Sequence, residues 1–432
     1  MADRKHVVIV GGGFAGISVA KKLKKAEVDI TLVDRSNHHL FQPLLYQVAT
    51  AALSPGDIAT PIRAILGQRK GMRVLLGKVT DVNRGQRFIE LKNGRKISFD
   101  YLVLAPGAQY NYFGNEEWPE HAPGLKSIGD ALQVRERILL SLEEAEQLED
   151  PKLREPYLTY VVIGGGPTGV EMAGAIAEIA KRNMMRDYST FSKNETRIFL
   201  VEAAPRILNG YPESLAEKAR ETLEEMGVRV LLNTPVTDIG EREVSFSEGT
   251  IQTPNIIWAA GVSASPLLTS LKAEQDPTGR VMVEEDLSLA DDDHIFVIGD
   301  AAHKEDANGN PLPALAPVAM QQGDFIGELI KREAADPATE RKAFSFTDKG
   351  TMATVGRAKA VADIRGFKFS GFIAWILWSV VHIFFLIGFR NRFRVFVEWM
   401  WHYLTFNRGV RLITDRKSNK EDETDRPQRT YE

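Results

Sequence analysis

The sequence predicts an α/β fold of two doubly wound βαβ units, the second inserted into the first, followed by an α-helical C-terminal segment suited to a membrane surface. Three observations predict it. An apolar, β-branched run ending in a glycine triplet opens the chain at Lys5–Val10, and the same pattern returns at Tyr160–Ile163. Near the other end, Gly371–Phe389 is a run of nineteen residues without a charge.

The elements follow in order. Lys5–Val10 reads as a buried strand, a lysine-bearing helix runs from about Phe14 to Ala26, and Ile30–Asp34 is the next strand. Asp130–Glu149, flanked by Pro123 and Pro151, reads as a charged helical connector. The second unit consists of Tyr160–Ile163, a long helix from about Thr168, and the strand Arg197–Glu202, and it ends near Val262. At Asp293–Ala302 the sequence IFVIGDAA starts another strand and turn, where the first unit resumes. From about Thr414 the chain is polar without apolar periodicity, which predicts disorder.

Composition removes several functions. The 432 residues carry a formal net charge of −4, unlike a nucleic-acid binder, which would show a basic patch. There is no cysteine, so disulfides, thiolate metal sites, iron–sulfur clusters and catalytic thiols are all excluded. The start MADRKHVVIVGGG enters its first strand with no apolar leader, and the body is expected to stay in the cytoplasm.

Two glycine loops carry the chemistry. In Gly11-Gly12-Gly13-Phe14-Ala15-Gly16, Gly11 permits the tight turn, Gly13 lets phosphates approach the backbone, and Gly16 lets the helix pack on the strand. A pyrophosphate is favoured there by the free amides of the helix N-terminus. Asp34, 23 residues after Gly11, ends the second strand where a carboxylate can bind ribose hydroxyls, with Arg35 beside it. The second loop is Gly164-Gly165-Gly166-Pro167-Thr168-Gly169, and Glu202 is its acid. The gap from Gly164 to Glu202 is 38 residues, longer than usual, which a lengthened helix and the polar loop Asp187–Thr196 account for. Glu202 would repel a 2′-phosphate and so favours NADH over NADPH, although Arg206 lies nearby in sequence. These are Rossmann-like dinucleotide-binding domains.

Two such folds, one inserted in the other, resemble the two-dinucleotide-binding flavoproteins, in which the first fold holds FAD and the inserted one the nicotinamide cofactor. LVLAPGA with Gly107, IWAAGV with Gly261, and IFVIGD with Asp300 look like that superfamily's crossovers and second FAD motif. Asp300 could instead cap the helix that follows. The stretch HHLFQPLLYQVATAALSP, the A-x-x-A-x-Q pattern in APVAMQQG and the FRNR…VEWMW segment resemble the type II NADH dehydrogenases over residues 4 to about 413.

The resemblance implies several roles. Phe14, Ala15, Pro167 and Thr50 would touch the cofactors together with the glycines. Glu171 would lie where nicotinamide and quinone approach the flavin, unless it is an ordinary first-turn glutamate. Gln321, with Gln322 and Ala319, would meet the quinone headgroup, unless these glutamines form a polar helix surface. His38 and His39 read as turn or surface residues. The EF-hand look-alike at Asp306–Asn310 carries Pro311 and Pro317 at its sixth and twelfth positions, so no metal site is expected.

The apolar run would be about 28 Å long as one helix, close to a bilayer's hydrocarbon thickness. Spanning would place Arg390, Arg392, Arg394, Arg408, Arg411, Arg416 and Lys417 outside, against the positive-inside bias. Phe393, Phe396, Val397, Met400 and Leu404 share one helical face, Arg394, Glu398, His402 and Thr405 another, and Trp399 and Trp401 suit the headgroup level. A pair of helices lying in the cytoplasmic interface is therefore expected over a span or a buried core helix.

The expected organisation is an FAD-binding domain at 1–125 and 266–345, a connector at 126–156 and an NADH-binding domain at 157–265. A membrane-association region at 346–413 and a disordered tail at 414–432 follow. The expected activity is hydride transfer from NADH to tightly bound FAD, then two-electron reduction of a membrane quinone (ubiquinone or menaquinone), without proton pumping. The expected location is the cytoplasmic face of the inner membrane, and a homodimer is left open. The competing readings are a flavin reductase for a soluble partner and an NADH-sensing membrane flavoprotein.

Overall fold

A computed structural model describes residues 4–180, 187–405 and 409–413; the expected disordered tail lies outside them. The chain begins with β1 (His6–Val10), α1 (Phe14–Lys22) and β2 (Asp29–Asp34), and a short helix α2 (Leu45–Ala49) precedes β3 (Met72–Leu76) and β4 (Tyr101–Leu104). β1 lies between β2 and β4 and is parallel to both. Val7, Val8 and Ile9 have no accessible surface, which is why this run carries no polar residue.

The insertion opens with α3 (Ile128–Glu146). A capping box starts it: Ser127 Oγ accepts from the Asp130 N–H at 3.2 Å, and Asp130 returns the bond to the Ser127 N–H at 2.8 Å. α3 had been expected as a charged connector. Its stripe of Ala131, Val134, Ile138, Leu139 and Leu142 is instead buried in one core with Leu158 and Tyr160. The inserted sheet is formed by β5 (Thr159–Ile163), β6 (Arg197–Val201), β7 (Val228–Leu231) and β8 (Asn255–Trp258), ordered β7-β6-β5-β8 and all parallel. Helices α4 (Pro167–Glu178) and α5 (Glu213–Glu225) belong to it.

The chain returns through Val262–Ala264, which pairs antiparallel with Ala108–Tyr110, so two short strands link the units. β9 (Ser288–Leu289) and β10 (Asp292–Val297) then complete the first sheet, ordered β9-β10-β4-β1-β2-β3. α6 (Ala316–Ala335) packs against α1, where Gly323 meets the Ala15 carbonyl: a Cβ there would lie 2.4 Å from that oxygen.

Residues 346–413 hold more than helices. An antiparallel meander of β11 (Thr351–Gly356), β12 (Lys359–Ile364) and β13 (Phe367–Ser370) comes first. It packs on α4, where Gly174 admits the Val355 carbonyl; a Cβ would come within 1.7 Å of that oxygen. The apolar run is not one helix. α7 (Gly371–Phe385) stops after 15 residues, Gly388 turns at φ +93°, and α8 (Phe389–Thr405) follows. The turn is pinned to the body, because Thr60 Oγ1 donates to the Ile387 carbonyl at 3.5 Å and accepts from Asn391 Nδ2 at 3.2 Å. Among the described residues no helix is long and apolar enough to cross a membrane.

Candidate active site

Each glycine loop leaves its strand at a C-terminal edge, between neighbours that diverge, which opens a crevice there. At the first loop, Gly11 has φ +107° and lies on the Ala105 carbonyl, and Gly16 lies on the Gly11 carbonyl. A Cβ at Gly13 would meet nothing within 4 Å, and no side chain caps α1. The first-turn amides of α1 thus face open space, the arrangement an FAD pyrophosphate needs. Asp34 braces the loop by accepting from the N–H groups of Gly12 and Ser36.

The second loop repeats the design. Gly164, at φ +109°, packs on Ala259, Gly169 packs on the Gly164 carbonyl, and Gly166 is open. Glu202 accepts from the Gly165 N–H at 2.6 Å and the Ala204 N–H at 2.8 Å. Arg206 is turned to Asn209, donating to its side chain and its carbonyl.

Sequence reasoning missed two groups at the first cradle. His39 was expected at a turn or surface but is 2% exposed; Nδ1–H donates to the Gly12 carbonyl at 3.2 Å, and the ring stands edge-on to Phe14. Burial lowers its pKa to about 4, so it is neutral, with Nε2 buried and unpartnered. Lys126 is the second. Burial pulls it down, while the opposite charge of Asp300 raises it. Asp300 is pushed up by burial and drawn back by the opposite charges of Lys126 and Arg280. No pattern marked either residue, because the sequence does not record that they converge on the loop.

A cavity of about 110 Å³ lies where both units meet α7 and α8. Thr50 and Gln47 line it from the first unit, Glu171 from the inserted one, and Trp378, Trp399 and His402 from the C-terminal helices. Burial pushes the Glu171 pKa up to about 8, against the lowering effect of a hydrogen bond from the Thr354 backbone, so the carboxyl keeps its proton at neutral pH. His402 Nε2–H donates to the Ala52 carbonyl at 2.9 Å, which leaves Nδ1 a bare acceptor; Nδ1 and Trp378 Nε1 are both buried without partners among the described residues. Trp399, expected at headgroup level, turns inward and donates to Gln47 Oε1 at 2.7 Å.

Gln321, Gln322 and Ala319 are not among the cavity's walls. Gln321 spans the Thr347 backbone, donating to its carbonyl at 3.0 Å and accepting from its N–H at 2.9 Å. Gln322 is 1% exposed and accepts from the Gly299 N–H at 2.6 Å, which fixes the turn that carries Asp300. Ala319 lies against Gly299, 3.6 Å from where its Cβ would be. Gly107 and Gly261 are both left-handed, at φ +71° and +65°; Arg35 is exposed beyond Asp34. Asp292, Asp293 and His294 come close enough together to hold a cation, but Asp292 pairs with Arg87 and Asp293 with Arg341.

Residues 5–323 match the pyridine nucleotide-disulphide oxidoreductase family, and residues 349–408 match the NDH2 C-terminal domain. The disulphide of the first family's name has no counterpart in a chain without cysteine. The chain is 43% identical to the type II NADH:quinone oxidoreductase Ndh of Mycobacterium tuberculosis, covering 96% of this chain and 91% of that one. It is 30% identical to the type II NADH:quinone oxidoreductase of Staphylococcus aureus, over 88% of this chain and 94% of that one. The structure of NDH2 from Plasmodium falciparum in complex with NADH superposes with a TM-score of 0.86 at 20% identity, covering 94% of this chain and 100% of that one. With two open cofactor cradles and an identity that extends over nearly its whole length, this chain belongs to the type II NADH:quinone oxidoreductases, FAD-dependent enzymes that oxidise NADH and reduce a quinone.

Proposed function

We propose that the cavity between the two units and the C-terminal helices receives the quinone headgroup, and that the outer face of those helices rests on the cytoplasmic surface of the membrane. The observation that carries this is the pair of faces on α7 and α8. Their inner faces supply Trp378, Trp399 and His402 to the cavity. Their outer faces leave Val380, Phe384, Phe389, Phe393, Phe396 and Leu404 exposed. So much exposed apolar surface on one side marks an interface with lipid. Arg390, Arg392 and Arg394 on α8 favour the leaflet with anionic headgroups and the positive-inside orientation.

The polar groups of the cavity suit the reaction. The first glycine loop, with Asp34, Asp300, Lys126 and Thr50 around it, is read as the FAD site, and the flavin supplies the two-electron chemistry when bound. The second loop with Glu202 orients NADH. A quinone presents two carbonyl acceptors; Glu171, a protonated carboxyl, lines the cavity, and the indole of Trp378 stands in its wall with its N–H buried. The product quinol has gained two hydroxyl donors, and His402 Nδ1 is an unpaired acceptor. Glu171 holds a proton that can be delivered to the reduced quinone oxygen.

Stopped-flow measurement of the two half-reactions tests the assignment. His402→Ala should bleach at 450 nm on mixing with NADH at close to the parent rate. Its reoxidation by a short-chain quinone should be slowed several-fold, as expected for the loss of one hydrogen bond. Gln321→Ala, which alters no wall of the cavity, should leave reoxidation nearly unchanged. The opposite pattern would move the quinone to α6 and Gln321.

A further inference from the structure

Beyond the paired strands that link the two units, the chain doubles back at residues 111–113. The Asn111 N–H donates to the Gly261 carbonyl at 3.4 Å, and the Phe113 N–H donates to Asn111 Oδ1 at 2.8 Å. At Phe113 the backbone is left-handed, with φ +54°. A residue with a Cβ adopts that conformation only at a cost, and glycine would adopt it freely. Burial does not compensate: the Phe113 side chain is 65% exposed. A strained, exposed aromatic contributes little to folding, and such positions concentrate at ligand clamps.

The ring occupies a defined place. Its edge meets Trp258, the last residue of β8, with centroids 6.1 Å apart at 65°. It also lies over Gly261, where a Cβ would come within 2.8 Å of the Phe113 Cζ. Two residues separate Trp258 from Gly261, and these, Ala259 and Ala260, form the surface on which Gly164 of the second glycine loop packs. The ring therefore stands at the C-terminal edge of the inserted sheet, beside the loop with the open space at Gly166.

We propose that Phe113 is a binding residue for the nicotinamide cofactor, its ring closing over the bound dinucleotide on the Gly261 side of the second glycine loop. The proposal rests on the reading that this loop holds NADH. An aromatic ring suits the task, since it offers a large apolar face to a planar cofactor and loses little rotamer freedom on binding. The left-handed backbone aims the ring outward over Gly261 instead of into the core.

The test uses the FAD-loaded enzyme, with NAD+ as a non-reducing probe in calorimetry, the KM for NADH, and thermal unfolding. Phe113→Gly should raise the NAD+ Kd and the NADH KM by about 3–10-fold, the loss of one aromatic contact. The Tm should hold or rise as the strain is relieved, and kcat should be nearly unchanged. Phe113→Tyr should restore the parent Kd. Gly166→Ala, placed in the open space of the loop, should weaken NAD+ binding independently. If Gly166→Ala weakens NAD+ binding and Phe113→Gly leaves it at the parent value, the role of Phe113 is overturned while the cofactor's location stands. If Gly166→Ala has no effect on NAD+ binding, the location fails and the proposal fails with it. A fall in Tm with unchanged Kd would make Phe113 a purely structural residue.

Discussion

A protonated glutamate in the cavity has a consequence for stability that a sequence reading of Glu171 does not contain. Its pKa is about 8 in the folded protein, against an ordinary value of 4.5. Below about pH 4.5 both states hold the proton and there is no penalty. As pH rises from there to 8, the unfolded chain releases the proton and the folded one keeps it, so the native state loses stability across that window. Glu171→Gln removes the titration. Its Tm should match the parent near pH 4.5 and exceed it by several degrees at pH 8.5, because each pH unit across that window takes up to about 1.4 kcal/mol from the parent. Differential scanning fluorimetry at the two pH values decides, and equal differences at both would mean that Glu171 titrates as an ordinary carboxylate. The residue itself was a candidate through the family resemblance, its place after the glycine loop being equally that of an ordinary first-turn glutamate. Its burial beneath β11 was not, because Thr354 is 183 residues away in the chain.

At the scale of the element, the two glycine loops behave as sequence spacing says they should, and each glycine has a separable job. Gly16 is a packing glycine: a Cβ there would sit 1.9 Å from the Gly11 carbonyl oxygen. Gly13 fits the proposed ligand side, with no atom of the described residues within 4 Å of its missing Cβ. Gly13→Ala should therefore give folded protein with native far-UV circular dichroism and a sharply reduced 450 nm absorbance. Gly16→Ala should instead cost soluble, folded protein. Retention of FAD by Gly13→Ala would remove the pyrophosphate from this loop. The helices were harder to read. The charged stretch between Pro123 and Pro151 marked α3 as a helix but not its buried stripe, and the expected pair of C-terminal helices is present with its first member ending at Phe385, before the turn at Gly388.

At the scale of the whole molecule, α7 and α8 are fastened to the body and apolar outward at once. Trp378, Leu386 and Val395 are buried, and His402 and Trp399 bond back to residues 47–52. Deleting the helices would therefore open the cavity as well as remove the proposed membrane face. A cleaner separation replaces only outward side chains. The triple variant Phe389→Asp, Phe393→Asp, Phe396→Asp should lose co-sedimentation with anionic vesicles while keeping FAD and NADH oxidation by a soluble quinone, since all three rings are exposed. Full retention on vesicles would place the membrane contact elsewhere.

The sequence by itself determined the two βαβ units, their nesting, the glycines and acids of both loops, the absence of thiol chemistry and the apolar, basic C-terminal pair. These are local properties: a strand, a loop and a helix N-terminus are contiguous, and their spacing is written in one dimension. Only the tertiary structure decided the cavity. Its walls come from residues 46–52, 171–178, 354–357 and 375–403, and nothing in their spacing says that they converge. It also decided that His39 and Lys126 stand at the first cradle, that Trp399 faces inward, and that Gln321 and Gln322 bond to backbone. The physical reason is the same in each case. Which neighbour a polar side chain finds depends on packing between distant segments, and a buried donor or acceptor takes whichever partner that packing supplies.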